Sequence, residues 1–179
     1  KSLKFYKMIS DKGDVDYNHV NMNGQNLMHF AAEMKDAELQ KIIIENDKID
    51  ININDELERS PLSLAIQYRN KSFIEAIIED SRTDINIKDI WGCTPLMTAI
   101  ELGNEDAEHL LIEHPKIDIK LKDNKNNNYL HIACHNKETD IISSLISKGV
   151  DINAKNDEGN TPLHIAIMRK NANRSYRNS

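Results

Sequence analysis

Gly149-Val150-Asp151-Ile152-Asn153-Ala154-Lys155-Asn156-Asp157-Glu158-Gly159-Asn160-Thr161-Pro162-Leu163-His164-Ile165-Ala166 is the stretch that decides the fold. Its parts recur along the chain at a nearly fixed interval. Thr161-Pro162-Leu163 shares a frame with Asn128-Tyr129-Leu130, Thr94-Pro95-Leu96, Ser60-Pro61-Leu62 and Asn26-Leu27-Met28, at steps of 33, 34, 34 and 34 residues. Ten residues before each start lies a second phrase: Asp16-Tyr17-Asn18, Asp50-Ile51-Asn52, Asp84-Ile85-Asn86, Asp118-Ile119-Lys120 and Asp151-Ile152-Asn153. Two phrases held in phase five times mark a stack of supersecondary units. Each such unit buries its apolar face only against its neighbours.

The unit at Thr94 shows how the residues encode the elements. Thr94 is an N-cap, and Pro95 follows at the first helical position, where a missing N–H costs nothing. Leu96, Ala99 and Ile100 form the inward stripe of a short helix, which Gly103-Asn104 ends. A second helix buries Ala107, Leu110, Leu111 and Ile112, and Pro115 breaks the pattern soon after. Ile117-Asp118-Ile119 alternates like a short extended segment before the turn residues Asp123 to Asn126. Other second helices carry Leu39, Ile43 and Ile44; Phe73, Ile74, Ile77 and Ile78; and Ile141, Ile142, Leu145 and Ile146. Ala31-Ala32, Ala65, Ala99, Ala133 and Ala166 put small side chains on the first helices, which lets neighbours approach closely.

These units resemble ankyrin repeats, from about residue 5 to 171. The resemblance implies an all-α solenoid of helix-turn-helix repeats with β-hairpin-like loops. One domain over 1–179 is expected: a partial repeat at 1–25, full repeats at 26–59, 60–93, 94–127 and 128–160, and a partial repeat with tail at 161–179. Three units carry an extra residue before Asp-Ile-Asn, as in Asp47-Lys48-Ile49-Asp50. Glu58 and Asn126 replace the hairpin glycine, so Glu58 is expected to be strained if it takes a positive φ. Phe5, Tyr6 and Ile9 read as a second helix lacking its first. After Asn171 the apolar phases fall on Arg174-Ser175 and Asn178-Ser179, which encode no ordinary closing helix. The expectation is a segment of a longer protein with apolar surface at both ends, monomeric or weakly self-associating through those ends.

Chemistry is sparse. The net charge of −6 opposes nucleic-acid binding, and no apolar run approaches the ~20 residues of a membrane span. Cys93 and Cys134 give no disulfide framework; a reduced, intracellular setting is expected, cytoplasmic or nuclear. No phosphate loop, nucleophile elbow or His-Glu-x-x-His occurs. Asp50, Asp84, Asp118 and Asp151 recur with the repeat and read as turn-stabilising. His131-Ile132-Ala133-Cys134-His135 can present three ligands on neighbouring helical faces, but His131 shares its phase with His29 and His164, which reads as a backbone-bonding role. No catalytic residue, cofactor or metal is expected, and no enzyme activity.

What remains is recognition. The resemblance implies that a protein partner binds the concave groove of hairpin tips and first helices. Carried over by phase, that groove holds Glu33, Met34, Glu56, Leu57, Tyr68, Ile90, Trp91, Glu101 and Leu102. An apolar, aromatic centre rimmed by glutamates has the composition of a binding hot spot for a ligand of basic character. The alternative for Trp91 is that it folds onto the adjacent hairpin and stiffens the stack. Two other roles fit the repeats: a regulatory or substrate-recruiting segment of a larger multidomain enzyme or channel, and a structural spacer.

Overall fold

The computed structural model describes residues 2–11, 13–136 and 139–175, with side chains given except at 2, 5 and 170–175. The expected role of Phe5 and the phases at Arg174-Ser175 and Asn178-Ser179 therefore lie outside the described side chains. Ten helices and no strand occur among the described residues. They fall into two compact units, residues 1–90 and 91–179. The first holds α1 (Ser2–Ser10), α2 (Leu27–Glu33), α3 (Ala37–Glu45), α4 (Pro61–Gln67) and α5 (Lys71–Glu79). The second holds α6 (Pro95–Leu102), α7 (Glu105–Ile112), α8 (Tyr129–Asn136), α9 (Thr139–Ser147) and α10 (Pro162–Ser175).

The caps explain why the helices begin and end where they do. Thr94 Oγ1 accepts from the Met97 amide at 3.3 Å, Ser60 Oγ from Ser63 at 3.2 Å, and Asn26 Oδ1 from Met28 at 3.0 Å. Gly103 closes α6 in the left-handed region at φ 56°, and Asn104 at once caps α7. Within each unit first helices pack on first helices (α2 on α4, α6 on α8, α8 on α10) and second helices on second helices (α3 on α5, α7 on α9). Ala31, Ala32, Ala65, Ala99 and Ala133 are wholly buried at the first-helix contacts. Three second-helix positions differ from expectation, the first being Ile142, which is only half-buried. Leu110 is only half-buried, and the inward position is taken by Glu108. Ile146 is exposed because α10 runs on to Ser175 and no later second helix among the described residues covers α9.

The Asp-x-Asn phrases are turns rather than extended segments. In each, the aspartate Oδ1 accepts the amide two residues on: Asp16 from Asn18 at 3.1 Å, and Asp50, Asp84, Asp118 and Asp151 from their partners at 2.9 Å. The alternation reflects burial on either side of that turn, with Ile49 and Ile51 both inside and Asp50 outside.

A candidate protein-binding surface

The hairpin tips are built from one repeated device. An Asp or Asn side chain accepts two amides and closes the loop: Asn21 from Asn23 and Gln25 (2.9 and 3.0 Å), Asp55 from Leu57 and Arg59 (both 2.9 Å), Asp123 from Lys125 and Asn127 (both 2.8 Å), Asn156 from Glu158 and Asn160 (3.1 and 2.9 Å). Neighbouring tips are then joined by one backbone bond each. Glu56 N donates to Asn23 O (3.0 Å) and Ile90 N to Leu57 O (3.2 Å) in the first unit. Asn124 N donates to Trp91 O and Asp157 N to Lys125 O (both 3.0 Å) in the second. The tips are thus held before any ligand arrives.

The tip glycines are not interchangeable. At Gly24 (φ 72°) a Cβ would lie 2.8 Å from the Glu56 amide nitrogen, and at Gly92 (φ 78°) 2.6 Å from that of Asn124. Both positions need glycine for close approach as well as for φ. Glu58 and Asn126 take the same left-handed conformation, at φ 55° and 60°, without being glycine. The strain expected at Glu58 is therefore present.

The nine groove residues named from sequence divide six and three between the units. In the first, Glu33 closes α2 with its side chain exposed, and Met34 caps that helix, half-buried. Glu56 and Leu57 lie exposed on one tip, bonded through Leu57 to Ile90 on the next, and Tyr68 is exposed at the end of α4. In the second, Trp91 is 54 % exposed although its carbonyl is fixed in the tip ladder. Glu101 and Leu102 close α6 with exposed side chains.

The charge beneath the first unit's tip is internally matched. Arg59 meets the buried Asp55 carboxylate at 2.7 Å through its terminal nitrogen and 2.9 Å through Nε. Burial pushes the Asp55 carboxyl up; the Arg59 side chain, with the amides of Arg59 and Leu57, outweighs this and holds it below the usual range. Among the described residues no ion pair reaches Glu33, Glu56 or Glu58, so this surface presents acidic groups to solvent.

His131 has both ring nitrogens engaged inside the protein, Nδ1 accepting the Asn128 amide at 3.2 Å and Nε2 donating to Asn160 O at 2.9 Å. His29 repeats the arrangement, Nδ1 accepting the Asn26 amide at 3.2 Å and Nε2 donating to Arg59 O at 3.1 Å, and burial lowers its pKa. Among the described residues no group of three His, Cys, Asp or Glu is placed to hold a metal ion, and no helix is long and apolar enough to cross a membrane. Sequence reasoning missed one concave feature. In the first unit, Tyr6, Ile9, Tyr17, Leu27 and Phe30 line a cavity of about 340 Å³ beside α1 and α2. The available signal was Phe30, whose repeat counterpart Leu64 is buried.

The model of ankyrin repeats (three copies) matches residues 2–89, 28–123, 68–156 and 109–174, so nearly the whole chain is covered. The chain belongs to the ankyrin repeat family. Ankyrin repeats are generally protein–protein interaction modules and typically non-catalytic. No curated protein sequence matches this ankyrin repeat chain.

Proposed function

We propose that this chain binds a partner protein through its hairpin tips and the exposed ends of its first helices. Glu33, Met34, Glu56, Leu57, Tyr68 and Ile90 contribute from the first unit, and Trp91, Glu101 and Leu102 from the second. The observation that carries the reading is Trp91: a half-exposed indole on a tip whose backbone is already bonded. Large aromatic side chains held on rigid supports supply contact area at little conformational cost on binding. The exposed glutamates favour a ligand segment carrying Lys or Arg. The 34-residue register passes from Ser60 to Thr94 unchanged across the boundary between the units, which supports a single repeat domain.

The test is affinity capture from the source cell with the parent chain and a Trp91→Ala/Leu57→Ala variant, with matched circular dichroism. A partner held by the parent should lose on the order of 2 kcal/mol of affinity with Trp91→Ala alone. Identical capture by parent and folded double variant would overturn the tip reading.

A further inference from the structure

Inside each compact unit, consecutive repeats are joined at the hairpin tips and again at the hairpin base, where the second helix ends. The base joint differs between the units. In the first, Asn52 donates to Arg82 O at 2.7 Å and accepts Asp84 N at 2.8 Å, as Asn18 does with Lys48 O and Asp50 N at 2.9 and 2.7 Å. Arg82 reaches back across the same joint to the carbonyls of Ile44, Asn46 and Ile49. The base is stitched from both sides.

In the second unit other residues stand at both stitching positions. Lys120 has the phase of Asn18 and Asn52, and Gly149, two residues before Asp151, has the phase of Arg82. The turn itself is unchanged: Lys120 N donates to Asp118 Oδ1 at 2.9 Å, as Asn52 N does to Asp50 Oδ1. Only the side chain differs. An ammonium has no acceptor, so it cannot take the Asp151 amide as an Asn oxygen would. Lys120 is exposed, and among the described residues neither Asp151 N nor Gly149 O has a partner in the protein. Across this base Lys148 meets Glu113 at 3.3 Å, with side chains 30 % and 67 % exposed, a setting in which an ion pair holds little.

The tips are weighted the other way. Asp157 N donates to Lys125 O at 3.0 Å, Asn126 Nδ2 donates to Asp157 Oδ1, and Asn156 Nδ2 donates to Asn127 Oδ1 at 2.9 Å. His131 Nε2 ties α8 to the same tip through Asn160 O. We propose that the joint between residues 94–127 and 128–160 is a hinge built into the second unit. The tips and α8 are its pivot, and α9 with the turn behind it swings away from α7. The closed state rests on the apolar contact of α7 with α9, where Leu111, Ile112, Ile141 and Leu145 are buried. Opening breaks no hydrogen bond at Asp151 N or Gly149 O, and it bends this unit toward its tips without releasing one.

Pairs of spin labels at exposed positions of equal register test this in residues 1–179, with Cys93→Ser and Cys134→Ala as background. Lys41→Cys/Glu75→Cys spans α3 and α5, His109→Cys/Ser143→Cys spans α7 and α9, and Lys125→Cys/Glu158→Cys spans the two tips. Dipolar broadening in frozen solution should show one close separation for the first and third pairs. The His109/Ser143 pair should show a second, wider population. Lys120→Asn restores the donor and acceptor of the stitch and should reduce that wider population about tenfold. A His109/Ser143 pair as close as the Lys41/Glu75 pair, a wide population that Lys120→Asn leaves in place, or a tip pair that separates together with it would each overturn the proposal.

Discussion

The tip at Asp55 in the first unit and the tip at Asp123 in the second share one backbone and differ in what completes it. Both aspartates accept two amides through Oδ1. The remaining oxygen receives a guanidinium from Arg59 in one case and a side-chain amide from Asn127 at 2.9 Å in the other. The same loop can therefore be closed by an ion pair or by neutral partners. The first unit adds a second charged clamp. Arg82 is bonded to Asp80 and also reaches the carbonyls of Ile44, Asn46 and Ile49 at the end of α3. The second unit places instead a neutral pair at its centre: Tyr129 Oη meets Thr94 Oγ1 at 3.1 Å and Asp118 O at 3.2 Å. The difference lies in how each half answers pH, not in how it is folded.

Breaking the charged tip should have the largest effect. Asp55→Ala leaves Arg59 and two tip amides without their acceptor and should cost about 3 kcal/mol in urea unfolding. Asp123→Ala strands amides alone and should cost about 2 kcal/mol. Equal losses would mean that the ion pair contributes nothing beyond the loop geometry.

Titration separates the halves in opposite directions. Burial raises the Tyr129 phenol from 10.0 to about 12, so the neutral phenol is favoured in the folded state. Its contribution is full below pH 10 and is lost as pH rises toward 12, a change of about 2 kcal/mol that Tyr129→Phe should abolish. In the first unit burial lowers the His29 pKa, opposed in part by the Arg59 carbonyl, so stability falls as pH drops below 6.5. The Arg82 side chain holds the Asp80 carboxyl low, and Asp55 is low as well; both contributions stand above pH 3.8 and disappear as acid passes their folded values. Hydrogen exchange resolved by segment should show residues 13–90 opening first in acid and residues 91–136 first in alkali.

The smallest effect sharpens the comparison at φ. Glu58→Gly should stabilise by about 1 kcal/mol, since a left-handed residue bearing a Cβ is penalised. Asn126→Gly should gain only about 0.3 kcal/mol, because Asn tolerates that region. A larger gain at Asn126 would show that the Glu58 side chain makes a compensating contact.

The sequence carried the repeat frame, the caps at Thr94, Pro95 and Gly103, the left-handed Glu58 and the turn-forming aspartates. These are local: each follows from what one residue does to its own backbone. Ile117-Asp118-Ile119 misled because alternation in burial has the same pattern in a strand and in a turn that half-buries both isoleucines and leaves the aspartate exposed. The reach of Arg82 to the carbonyls of Ile44, Asn46 and Ile49 was not legible, since those acceptors come within range only once neighbouring repeats are stacked. At the candidate surface the phase alone placed Trp91 on an exposed tip. The cavity at Tyr6 and Phe30 depends on how α1 meets α2, which periodicity does not specify.

The hairpins of the first unit are also unequal along their length in a mechanical sense. At the base, Asn18 grips Lys48 O and Asp50 N, and Asn52 grips Arg82 O and Asp84 N, two bonds each. At the tip a single amide bond ties Glu56 to Asn23 and another ties Ile90 to Leu57. Each hairpin is therefore a lever anchored doubly at its fulcrum and latched once at its free end. A force that spreads the tips releases the latch first and leaves the fulcrum in place, giving the surface a compliance that the helices behind it lack.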